Sequence, residues 1–245
     1  MLLSEPEPLI MERSEENSVT FQIAMIGCDG LVVGSDRLGR AIPSPSDPAM
    51  ARRVEREPLP RFTQMKKFYV NADESVVCFA AGTQVALDAA SAISESVKAG
   101  GIGTQWDSTI RGAILPLAVN SFGRGGKEEV IVVRRNTASL FWWVVLEHGK
   151  LRIIEMDGCW CTGTSSVAEF LPRHLWDKRQ STSTLRALAI LTLAHAAEEE
   201  PSFVRGPFDI MTLTADGRIV WSVVEQPDIS GFRLGMEQLL DSYAG

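Results

Sequence analysis

From residue 20 onward the chain reads as short apolar runs broken by polar turns. Phe21, Ile23 and Met25 alternate with Gln22, Ala24 and Ile26, the period-two pattern of a strand. Cys28-Asp29-Gly30 supplies a turn, and residues 31–37 form the return arm of a hairpin. A second hairpin is predicted from residues 67–70, a turn at 71–74 and an arm at 75–80. Residues 83–98 predict a helix. Val85, Leu87, Ala89, Ala92, Ile93 and Val97 fall near helical spacing, and Gly100, Gly101 and Gly103 end it. Residues 110–122 predict another helix, kinked at Pro116. Strands follow at 129–133, 140–146 and 151–155, with Trp142 and Trp143 read as sheet core and sheet surface. Two more helices are predicted at 165–176 and 182–199; Pro172 interrupts the first, and Ser181 or Thr182 caps the second. Residues 208–214 and 218–222 make a last hairpin around Ala215-Asp216-Gly217, and a short amphipathic helix at 234–243 closes the chain.

The order is strands, two helices, strands, two helices, hairpin. It predicts an α+β fold in which two antiparallel sheets stack face to face with a helix pair on each outer side, because that arrangement buries every apolar face. Two stretches stand apart from it. Residues 1–19 are acidic, with Glu5, Glu7, Glu12, Glu15 and Glu16 against Arg13, and carry little that packs. They read as a flexible extension or a removable pro-segment. Residues 38–61 contain Pro43, Pro45, Pro48, Pro58 and Pro60, which predicts a long surface loop. The remainder, 20–245, is expected to be a single domain.

Composition narrows the function. A content of 45% hydrophobic and 22% charged residues is that of a soluble globular chain. The net charge of −7 argues against nucleic acid as a partner. No apolar run reaches the roughly 18 residues that a membrane span needs, and the first residues lack the basic and apolar regions of a signal peptide. A cytoplasmic location is the resulting expectation. The four cysteines make no CxxC pair, and Cys159-Trp160-Cys161 reads as two small residues near a turn rather than a metal or redox site. No constellation for a metal or cofactor appears, so none is expected. His195 lies within a predicted helix and reads as a packed or surface histidine.

The candidate chemistry sits at Thr20. A threonine that becomes a first residue carries its hydroxyl and a free amine together, a nucleophile with a built-in base. Several motifs in the correct order resemble the proteasome subunit family of N-terminal nucleophile hydrolases, in a divergent, bacterial-type form. They are the unit from Thr20 to Asp36-Arg37 with its Asp29-Gly30 turn, Lys66-Lys67-Phe68, Ala80-Ala81-Gly82-Thr83-Gln84, Cys161-Thr162-Gly163-Thr164-Ser165, and Phe208-Asp209-Ile210-Met211-Thr212 with Asp216-Gly217. The resemblance covers most of residues 20–223 and implies a four-layer αββα sandwich.

It further implies a threonine-type peptidase or amidohydrolase acting on peptide or amide bonds and assembled as a homo-oligomeric ring, with a partner ATPase left open. In that scheme Thr20 is the nucleophile, Lys67 lowers its proton affinity, and Asp36 orients the lysine. Thr164 falls near the terminal amine, and the Gly82 amide serves as oxyanion donor. Phe21 where the family has a small or polar residue, the long 38–61 loop and two further features depart from the family pattern. Val19 stands where self-cleaving members usually have glycine, and residues 200–206 offer Ser202 but no suitably placed Asp. They favour an alternative, a catalytically inactive subunit of the same fold that assembles into a ring.

Overall fold

The computed structural model describes residues 20–41, 61–81, 84–96, 104–121, 127–147, 149–162 and 169–231. Twelve strands and four helices occur among them. Strands β1 (Gln22–Gly27), β2 (Gly30–Asp36), β10 (Cys159–Thr162), β11 (Phe208–Thr214) and β12 (Ile219–Val224) form one five-stranded sheet in the order β10-β1-β2-β11-β12. Strands β5 (Phe68–Val70), β6 (Val76–Ala81), β7 (Lys127–Arg134), β8 (Phe141–Glu147) and β9 (Lys150–Met156) form the second, in sequence order. Every pairing is antiparallel. Helices α1 (Gln84–Ser96) and α2 (Thr104–Ser121) lie on the second sheet. Helix α4 (Thr182–Glu199) covers the first and packs with the short α3 (Phe170–Leu175).

Three apolar clusters separate the layers, which is why β1, β2, β6, β7 and β8 are buried on both faces. Phe21, Ile23 and Met25 point from β1 towards Leu185, Ala189 and Leu193 of α4. Ala24 and Ile26, on the other face, meet Val77, Phe79, Ile131 and Phe141 of the second sheet. Val76, Cys78 and Val130 turn outward onto Ala90, Ile93 and Ile110. This is the expected sandwich: helices, sheet, sheet, helices.

The first turn is fixed by its own chemistry. Gly30 adopts φ of +152°, and a Cβ there would stand 2.1 Å from the Leu213 carbonyl oxygen. Asp29 Oδ1 accepts from the Thr182 N–H at 2.6 Å, tying the hairpin to the start of α4. Ser181, of the two cap candidates, does the capping: its hydroxyl accepts from the Thr184 N–H, a bond worth about 1 kcal/mol.

Several local expectations are revised. Residues 38–41 and 61–64 are not loop: β3 (Leu38–Ala41) and β4 (Arg61–Gln64) pair as a small two-stranded sheet. Trp143 is not a surface residue. It is 8% exposed and packs on Trp160 with ring centroids 4.1 Å apart, since β8 has a layer on each side. Helix α2 begins earlier than residue 110 and continues past Pro116. Helix α3 is a short piece with Pro172 in its first turn, where a missing N–H costs little because first-turn donors have no intrahelical partner. Cys159 and Cys161 lie on strand β10, directly after the bend at Asp157 and Gly158. The extension at 1–19 and the closing helix at 234–243 fall outside the described residues.

Candidate active site

Thr20 stands two residues before the start of β1 and is buried, at 1% exposure. The residue after it is held by Asp36 at the end of β2: the Phe21 N–H donates to Asp36 Oδ1 at 2.9 Å. The other carboxylate oxygen of Asp36 accepts from Lys67 Nζ at 2.8 Å and from the Leu38 N–H at 2.9 Å. One carboxylate thus fixes the backbone beside Thr20, the start of β3 and the lysine. Lys67 stands just before β5 in the second sheet, so the ion pair bridges the two sheets.

Both partners are sealed from solvent, with side-chain exposures of 4% for Lys67 and 0% for Asp36. Burial pushes the Asp36 carboxyl above its ordinary value, opposed by Lys67 and by the Phe21 and Leu38 amides. Burial pushes the Lys67 ammonium below its ordinary value, opposed by Asp36. The pair is therefore less firmly ionised than a surface pair.

A second residue near Thr20 emerges only from the structure. Gln22 is fully buried and donates from Nε2 to the Ala80 carbonyl at 2.6 Å and to Ser35 Oγ at 3.3 Å. Ala80 in turn donates its N–H to the Lys67 carbonyl at 2.8 Å. Gln22 Oε1 and the Thr162 hydroxyl opposite it in the β1–β10 ladder make no hydrogen bond. The sequence signal for Gln22 was a lone polar residue two places after Thr20, in a strand otherwise apolar on both faces.

Next to the site, Arg37 binds Asp209 of β11 through two bonds, Nε to Oδ2 at 2.8 Å and Nη2 to Oδ1 at 2.5 Å. The segment 200–206 contributes no hydroxyl to the interior. Ser202 is exposed, and the buried residue is Val204, packed among Phe203 and the α4 side chains. Thus the Asp36 carboxylate joins Lys67 to the amide of Phe21, the residue after Thr20, whereas Gly82 and Thr164 lie outside the described residues. Among the described residues no group of three His, Cys, Asp or Glu side chains is arranged to hold a metal, and no helix is long and apolar enough to cross a membrane.

Two five-stranded antiparallel sheets packed face to face between helix layers make an αββα sandwich. Among the solved structures that resemble the chain are Anbu proteins. One, described as Anbu (ancestral beta-subunit) from Yersinia bercovieri, superposes with a TM-score of 0.64 at 13% identity over 92% of this chain and 97% of that one. Anbu from Hyphomicrobium sp. strain MC1 gives 0.61 at 13% identity, over 92% and 97%. The structure described as the helical assembly of the Anbu complex from Pseudomonas aeruginosa gives 0.61 at 13% identity, over 91% and 96%. No family model matches the chain. No curated protein sequence matches it either.

These findings correct the assignment to the proteasome subunit family itself. The structural likeness is to Anbu proteins, and at 13% identity it carries the fold alone. The motifs that suggested the family, such as Asp29-Gly30 and Asp36-Arg37, are explained by that fold: they close the first hairpin and tie it to its neighbours.

Proposed function

We propose that the chain is a threonine-type amide-bond hydrolase, with Thr20 as nucleophile once residues 1–19 have been removed. The observation that carries this reading is the Asp36 carboxylate, which holds Lys67 with one oxygen and the amide next to Thr20 with the other. Removal of the preceding segment would give Thr20 a free amine, which titrates at about 7.7–8.0 and is a competent base near neutrality. The Thr20 hydroxyl passes its proton to that amine as it attacks the substrate carbonyl. Lys67 stabilises the developing alkoxide, and Asp36 keeps Lys67 in place. The Gly82 amide is assigned to the oxyanion, a contribution of about 3–4 kcal/mol for such a donor, and Thr164 to the neighbourhood of the amine. The substrate class is peptides or other amides, in the cytoplasm, and the working form is a homo-oligomer. The Anbu complex of Pseudomonas aeruginosa, described as a helical assembly, supports that last point.

A second reading, a structural subunit without activity, is favoured by one observation: Val204, not a hydroxyl, fills the interior beside the strand that enters β11. Hydrolysis of fluorogenic peptide amides by a chain beginning at Thr20 separates the two. Loss of turnover in Thr20→Ala, with the fold intact, is the expected result. Turnover that survives Thr20→Ala removes the role given to Thr20, and a wild-type chain without turnover leaves the structural subunit.

A further inference from the structure

We propose that Gln22 is a positioning residue: its side-chain amide sets the spacing between the two sheets at which Lys67 meets Asp36. The consequence for turnover rests on the hydrolase reading; the spacing itself does not.

Register places the residue for this task. Gln22, Ala24 and Ile26 share one face of β1, and Ala24 and Ile26 pack against the second sheet. Gln22 therefore points across the gap between the sheets. It is the one polar side chain in β1 and is 0% exposed. Its amide nitrogen makes two bonds. One goes to the Ala80 carbonyl of β6 at 2.6 Å, and the Ala80 N–H donates to the Lys67 carbonyl at 2.8 Å. The other goes to Ser35 Oγ at 3.3 Å, and that hydroxyl donates to the Asp36 carbonyl at 3.2 Å. The bond from Lys67 Nζ to Asp36 Oδ2 at 2.8 Å closes the loop. Lys67 and Asp36 are thus joined twice, once through their side chains and once through their backbones by way of Gln22.

Stability does not account for an amide at this position. Gln22 Oε1 is buried with no hydrogen bond, which costs free energy. An apolar side chain of the same length would fill the space without that cost, as Ala24, Ile26 and Phe79 do along the same interface. An apolar contact is non-directional, whereas a hydrogen bond fixes both distance and angle. Lysine carries its charge on a long flexible stem, so its contact with a single carboxylate oxygen depends on where its backbone is held.

The test reads Lys67 itself. In protein carrying isotope-labelled lysine, the Lys67 signal is identified by its loss in Lys67→Met, and its titration midpoint is followed by NMR. Gln22→Met keeps the buried volume and removes the amide. Lys67 then stays buried while its contact with Asp36 loosens, so its midpoint should fall by about one pH unit. Gln22→Asn, whose amide stops one methylene short of Ala80, should move it the same way and serves if the methionine variant does not fold. Thr162→Val removes a buried hydroxyl that lies opposite Gln22 and makes no hydrogen bond, so it should leave the midpoint in place. A midpoint unchanged or raised in the Gln22 variants, or moved as far by Thr162→Val, would overturn the proposal. Peptide-amide turnover by the chain beginning at Thr20 gives a second arm: Gln22→Met should lower kcat by about 10- to 100-fold with KM within about twofold of wild type. A wild type without turnover, combined with a lowered midpoint in Gln22→Met, removes the hydrolase and leaves the positioning role. Turnover and midpoint both untouched in Gln22→Met remove the positioning role and leave the hydrolase.

Discussion

Asp36 and Arg37 are consecutive residues, and each ends in an ion pair, yet the two pairs are physically unlike. Asp36 meets Lys67 where side-chain exposures are 0% and 4%, and burial drives both groups towards their neutral forms. Arg37 meets Asp209 in a bidentate pair whose arginine remains 17% exposed, and its hydrogen bonds to Asp209 raise the guanidinium further above its ordinary value. In the first pair burial works against the charge of both partners; the second keeps its charge and acts as a clamp between β2 and β11. Charge pairing alone therefore does not mark a functional site. Depth, and the choice of lysine over arginine, distinguish a pair whose charges burial weakens from one that stays charged.

The largest expected effect comes from breaking the buried pair. Lys67→Ala leaves the Asp36 carboxylate buried and unpaired and should cost about 3–5 kcal/mol in denaturant unfolding. It should also lower hydrolysis per folded chain by at least about 100-fold. Replacing both partners, as Asp36→Leu with Lys67→Met, should restore most of the stability and none of the activity, because no buried charge is then left alone. A double variant no more stable than Lys67→Ala would mean that the pair's charges are not what the single variant exposes.

The clamp should behave differently. Arg37→Gln removes a charge-assisted pair and should cost about 1.5–3 kcal/mol, while turnover per folded chain stays near wild type in steady-state kinetics. A turnover loss equal to that of Lys67→Ala would erase the distinction between the two pairs.

The pH dependence of stability sharpens the comparison. With the folded Lys67 value below its ordinary 10.5, the unfolded chain binds the extra proton between those two values. Stability should therefore rise with pH in that window, and Lys67→Met should flatten the slope. The folded Asp36 value lies above its ordinary 3.8, so stability contributed by that group falls as pH rises from 3.8 to the folded value. Arg37 adds no slope, since it stays charged throughout. The smallest effect belongs to Asp177, a surface acid that its hydrogen bonds with Arg179 hold at about 2. Its contribution is present above pH 3.8 and is lost as pH falls through about 2, a slight shift of the acid midpoint that Asp177→Asn should remove.

How far the sequence reaches depends on the kind of information. Helix α4 was legible end to end from residues 182–199, because a long Leu- and Ala-rich run with a serine cap is local information. The hairpins of β1–β2 and β11–β12 were legible through Asp29-Gly30 and Asp216-Gly217 for the same reason. The β3–β4 pair was hidden by the prolines between its arms: the pairing joins residues either side of a long connection, and no local pattern records it. Trp143 was misplaced because a sheet covered on both sides has no polar face to betray its orientation. At the site, Thr20, Asp36 and Lys67 were named from motif order, but their assembly through one carboxylate, and the bridge from Gln22 to Ala80, are contacts across the sandwich.

The central claim, that Thr20 works as a first residue supported by Asp36 and Lys67, is tested most directly by the intact mass of the protein isolated from its native cell. A mass about 2 kDa below full length, the size of 19 average residues, would place Thr20 at the chain start with its amine free, as the account predicts. A full-length mass would leave that amine in a peptide bond and contradict it.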